Sequence, residues 1–361
     1  MSLESDLKKE GIEVIEPIDK LITNSIVQNV SRRIIETFPN YNFTRAEICD
    51  KLSQLNMYRA KMAEGMAEAS YYYKNTSIYF NEHINTEDLE EFAIHECIHY
   101  LQEVKDSKNN LLKMGLCTYK NKKTTALGLN EAAVQYISSR IIGIEPDFEK
   151  YYNITLYTPS PSYYPLECSL LNEILYFTGS EVLFKSTLFS NDDFKNLVIK
   201  KSSEKIYNKL ISSFDSLIKL EEHLIKQTNK ISSLENGDSR ITSFSNKFSK
   251  LKQKISNTYI STQNLIIKEF FENEFNQISN LEELENFRHK IYKFSDILGT
   301  VENYSFFDCF YVEMMNKLEH KCNILENGGI ETAMAKKTHN YIFEFFKKLF
   351  KLSKSKTEER N

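Results

Sequence analysis

From residue 201 to its end at 361 the chain contains no proline, and the whole sequence holds only 10 glycines and 6 prolines. Proline removes a backbone donor and glycine adds chain entropy, so their scarcity favours long helices over tight turns. Residues 201–233, 241–274, 281–298, 305–325 and 332–351 each carry a helical apolar repeat. Asn and Gly mark the breaks at 235–238 and 327–329. An all-α helical bundle or extension over 201–352 follows, with a polar tail at 353–361. Such long amphipathic helices offer a surface for a protein partner or for self-association.

The first two hundred residues are more varied. Apolar residues at Ile18, Leu21, Ile22, Ile26, Val30, Ile34 and Ile35 predict a helix within 14–38. Thr44 and Glu47 form a capping-box pair at the head of a second helix that the pattern carries to about residue 61. Gly65 breaks it. Tyr71-Tyr72-Tyr73, then Lys74-Asn75-Thr76, then Ser77-Ile78-Tyr79-Phe80 read as strand, turn, strand. Thr86 then caps a helix reaching about residue 104. Residues 111–129 read as irregular, with a solvated turn at 120–123. A further helix spans 131–142. The Pro- and Tyr-rich stretch 143–165 reads as loop, and 166–200 return to helix with breaks near Gly179 and at 190–192.

Net charge is −4, divided as −7 over residues 1–200 and +3 over 201–361. Sequence-independent phosphate binding needs a clearer basic excess, so no nucleic-acid partner is expected. No run of about eighteen apolar residues is present, so no membrane span is expected. The first twenty residues have no apolar core like that of a signal peptide, which places the chain in the cytoplasm unless it is exported by a non-standard route. The six cysteines are scattered at 49, 97, 117, 168, 309 and 322 and read as reduced thiols.

The chemistry is concentrated in His95-Glu96-Cys97-Ile98-His99. Two histidines four residues apart on a helix lie on one face, one turn apart, and both rings reach one metal ion. Glu96 is rotated by about 100 degrees, well placed to hold a water beside that ion. Cys97 sits about 200 degrees from His95, toward the core, as a small buried hydrophobe. A catalytic zinc site needs a third protein ligand and one open position. Position 105 is Lys, and the next histidine after His99 is His223. Glu131, in Asn130-Glu131-Ala132-Ala133, is the nearest strong candidate, because the alanines let its helix approach the first. Gln135, four residues on, shares its face and can fix a histidine ring from behind the metal.

The pair of motifs resembles the zincin metallopeptidase superfamily, specifically its gluzincin branch: HExxH followed by a ligand Glu on a second helix. The resemblance covers about residues 70–142. It implies an α+β, zincin-like domain over 1–200, mostly helical with a small sheet. It implies zinc on His95, His99 and Glu131, Glu96 as general base, and an edge strand, here 77–80, pairing with an extended peptide substrate. The branch adds a Tyr or His that donates to the oxyanion. No motif marks it here; Tyr136, Tyr157, Tyr163 and Tyr164 are the candidates, with Tyr164 taken as the catalytic one. The expected activity is hydrolysis of peptide bonds. The alternative is a catalytically inactive zincin-fold protein that binds a protein partner through its helical C-terminal half.

Overall fold

A computed structural model describes residues 3–41, 43–63, 67–120, 123–234, 238–301 and 306–327. The break expected at Gly65, residues 121–122, 235–237 and 328–329 of the expected turns, the helix over 332–351 and the tail at 353–361 lie outside these. The protein is a mostly helical α+β chain. It forms two compact units, Met1–Thr262 and Gln263–Asn361.

The first unit begins with α1 (Leu3–Lys9), β1 (Ile12–Pro17), α2 (Lys20–Thr37), α3 (Arg45–Leu52), β2 (Asn56–Met62), β3 (Ala69–Tyr72) and β4 (Ser77–Asn81). The four strands form one sheet in the order β1-β2-β4-β3. β1 pairs antiparallel with β2, β2 parallel with β4, and β4 antiparallel with β3. Two stretches assigned to helix by their periodicity are therefore strand. Residues 14–17 belong to β1, and 56–61 to β2, because long-range pairing outweighs weak local preference. The capping box is present: Glu47 N–H donates to Thr44 Oγ1 at 3.2 Å and Thr44 N–H to Glu47 Oε2 at 2.7 Å.

The sheet order also moves the edge strand. β4 is internal, and Ser77, Ile78, Tyr79 and Phe80 are all buried. A continuous buried run suits a strand flanked on both sides. The edge next to β4 is β3, with Ala69 opposite Phe80 and Tyr72 opposite Ser77. Asn81 N–H donates to Glu68 O at 2.8 Å. Antiparallel pairing alternates, so Ser70 and Tyr72 bond inward while Tyr71 turns its N–H and C=O to the free edge.

A 3-10 turn at Thr86–Asp88 leads into α4 (Leu89–Leu101). Thr86 does not cap it; the Thr86 hydroxyl accepts from Arg59 Nη2 at 3.2 Å instead. Then come β5 (Glu103–Lys105), β6 (Leu111–Met114), β7 (Cys117–Lys120) and β8 (Lys123–Thr125), an antiparallel meander where the sequence reads as irregular. α5 (Leu127–Ile142) follows, then a hairpin of β9 (Asp147–Tyr151) and β10 (Ile154–Thr158) inside the stretch expected to be loop. α6 (Pro165–Thr178), α7 (Ser180–Phe189), α8 (Asp193–Lys201) and α9 (Glu204–Ser232) complete the order up to α10 (Ile241–Gln277). The core joins Ala93, Ile94, Cys97 and Ile98 of α4 to Ala132, Ala133, Val134 and Ile137 of α5 and Leu166, Leu170 and Leu171 of α6. α9 packs against α5. The compact first unit consequently runs past the domain boundary expected at residue 200, and the division falls within α10.

The second unit contains the end of α10, then α11 (Leu281–Phe294), the short β11 (Thr300–Val301) and α12 (Phe306–Glu326). Its core is aromatic: Phe271 meets Phe287, Phe294 and Phe310 with ring centroids 5.2–6.2 Å apart. No helix among the described residues is long and apolar enough to cross a membrane. All six cysteines are free thiols.

Candidate metal centre

α4 and α5 pack against each other, and their approach brings three groups together. His95 Nε2 lies 3.0 Å from His99 Nε2, and each lies 3.3 Å from Glu131 Oε2. Among the described residues this is the group of His, Cys, Asp and Glu side chains that could hold a metal ion. His95 Nδ1 meets Gln135 Oε1 at 2.9 Å. An amide oxygen only accepts, so Nδ1 carries the proton and His95 Nε2 presents a bare lone pair. Three lone-pair atoms converging in a mostly buried space repel one another unless a cation sits among them. Two imidazoles and one carboxylate are a donor set suited to a divalent transition metal. A tetrahedral ion with ligands at about 2.0–2.2 Å has ligand-to-ligand edges of about 3.3–3.6 Å, close to those observed. The residues present therefore fit a metal.

Electrostatics agree with that reading. Burial alone would lower the pKa of His99, but the Glu131 carboxylate outweighs it and lifts His99 to about 9. Burial likewise raises Glu131, and the two histidines override it, holding the carboxylate well below its ordinary range. A proton shared in the cluster substitutes in part for a cation.

Glu96 is buried beside the cluster, and its Oε2 accepts the Tyr71 N–H at 2.7 Å. This bond joins the free edge of β3 to α4. Sequence reasoning had no signal for it, since a backbone N–H carries no residue identity and its direction follows from sheet register. Tyr71 is tied again through its hydroxyl, which donates to Glu103 Oε1 at 2.8 Å.

The four tyrosines separate clearly. Tyr164 stacks on His95 with centroids 6.2 Å apart, close to the Glu131 carboxylate. Burial first, then Glu131 and Glu96, push its pKa far up, so it remains a donor. Its φ of 50° is left-handed, costing about 1–2 kcal/mol, and Pro165 follows as the first residue of α6. Strain of this kind gathers at functional positions. Tyr163 sits edge-on to Phe92 at 6.5 Å, near the Glu68 carboxylate. Tyr136 donates to Asn172 Oδ1 at 3.3 Å, and Tyr157 packs on Phe148 at 5.0 Å on the hairpin. Cys97 is fully buried and burial raises its thiol pKa, which leaves it inert.

Compared with protein-family models, curated proteins and solved structures, the chain has no match in any of the three.

Proposed function

We propose that the chain is a zinc metallopeptidase of the gluzincin type, hydrolysing a peptide bond with water. The observation that carries this reading is the convergence of His95, His99 and Glu131 on one point, with the Glu96 carboxylate alongside. His95, His99 and Glu131 would hold the ion. When bound, such an ion polarises a carbonyl and lowers the pKa of water.

Glu96 takes the proton of the attacking water and returns it to the leaving amine nitrogen. The Tyr71 N–H fixes one oxygen of Glu96 and leaves the other for the water. Gln135 holds the His95 ring in the tautomer that frees Nε2. Tyr164 donates its proton-bearing hydroxyl toward the carbonyl oxygen as charge develops there. The Tyr71 N–H is taken by Glu96, while the Tyr71 C=O and the Ala69 backbone face the outer edge of β3, and an extended peptide pairs with that edge by strand addition.

Glu96→Gln tests the proposal. Gln keeps an acceptor for the Tyr71 N–H, so the fold and about one zinc per chain should persist. Turnover of a peptide library should fall by about 10²–10⁴-fold. Unchanged cleavage would remove Glu96 from the chemistry, and a wild-type chain that retains no stoichiometric metal would end the proposal.

A further inference from the structure

The helix that delivers Glu131 has no cap of its own. Its N-terminal flanking residue is Ala126, left-handed at φ 62°, with no side chain able to accept a hydrogen bond. The acceptor comes from α9 instead. Asp215 Oδ1 accepts the Gly128 N–H at 2.8 Å, and Asp215 Oδ2 accepts the Ala126 N–H at 3.2 Å. A charged acceptor on exposed helix N–H groups makes a strong bond and complements the positive end of the helix dipole.

Gly128 makes this seating close. A Cβ there would lie 2.4 Å from the Phe214 carbonyl oxygen, so only glycine lets the first turn of α5 rest on the α9 backbone. Glu131 stands three residues after Gly128, one turn along. The position of its carboxylate relative to His95 and His99 depends on where that turn sits.

We propose that Asp215 is a positioning residue for the metal centre, setting the affinity of the His95, His99 and Glu131 cluster by anchoring the first turn of α5. This rests on the metal-centre reading above. It makes α9 part of the site rather than a separate scaffold. Ordering the Glu131 turn before the ion arrives removes a conformational cost from binding, and partners of this kind typically change metal affinity by about 10–100-fold.

The test uses the full chain as wild type, Asp215→Ala, Asp215→Asn and Thr44→Ala. Thr44→Ala removes the capping box of α3 and is a control for cap loss at another helix. Each is equilibrated against chelator-buffered free zinc, and bound zinc is measured by atomic emission. Amide hydrogen exchange is followed over residues 126–131. Asp215→Ala should bind zinc about 10–100-fold more weakly and exchange faster over that segment. Asp215→Asn, which keeps one acceptor, should fall between, and it carries the test if the alanine variant does not fold. Thr44→Ala should melt earlier with unchanged zinc affinity. Equal zinc affinity in wild type and both Asp215 variants would overturn the inference while leaving the metal centre standing. Equal weakening by Thr44→Ala would also overturn it, reducing the effect to general stability. A wild type that binds no zinc would remove both the centre and this inference.

Discussion

Gly115→Ala tests how firmly the site is tied to the body of the first unit. Gly115 lies between β6 and β7 with φ +60°, a conformation that costs an alanine about 1–2 kcal/mol. The added Cβ would stand 2.2 Å from Asn130 Oδ1 and 2.8 Å from the Gln102 amide. Contact at 2.2 Å is not tolerable, so Asn130 must swing away. It then gives up the Leu116 N–H that it accepts at 2.9 Å, leaving a buried donor unpaired at about 1–3 kcal/mol. Gly115 N–H is itself bound to Ser190 Oγ at 2.8 Å, so the turn cannot simply drift outward. The total is about 2–5 kcal/mol, which for a unit of this size lowers the melting temperature by roughly 5–15 °C. Because Asn130 precedes Glu131, zinc retention should fall as well. Circular dichroism melts and bound-metal analysis are the assays. A melting temperature within about 2 °C of wild type, with zinc retained, would refute the reasoning.

Gln135→Leu should lower zinc affinity by about 10–100-fold, because the His95 ring loses the acceptor that fixes its tautomer; unchanged affinity in a chelator competition would show that Gln135 does not set the ring. Glu167 of α6 is fully buried with the half-buried Glu221 of α9 near it, and burial lifts Glu167 from its ordinary 4.5 to about 7 and Glu221 well upward. The folded state thus binds more protons than the unfolded state between those values, so the pair's contribution is fully present below about 4.5 and lost as pH rises through about 7. Replacing the acid with an amide removes that dependence. Glu167→Gln should gain roughly 1–3 kcal/mol relative to wild type at pH 8 compared with pH 5 in denaturant melts, and a difference independent of pH would contradict the raised Glu167 carboxyl.

The sequence by itself determined the local chemistry. Four-residue spacing puts His95 and His99 on one face of any helix they occupy, and the alanines after Glu131 permit a close partner helix. Thr44 and Glu47 specify their capping box with no help from distant residues. The position of Gln135 followed from the same periodicity. What the string did not carry was the order of strands in the sheet and the contacts between distant elements. Residues 56–62 have no strong local preference and become strand because β1 and β4 flank them. The resemblance implies an edge strand at 77–80, yet the apolar residues of that run suit burial on both sides, and a four-residue β3 takes the edge. The Tyr71 N–H on Glu96, the left-handed Tyr164 against His95, and Asp215 on the head of α5 also have no sequence signature. Asp215 and Gly128 are 87 positions apart, and only packing of α9 on α5 makes them partners. Side-chain periodicity is a property of one helix and can be read from a string. Sheet order and capping by a distant residue depend on which surfaces meet, and that was decided only when the first unit folded.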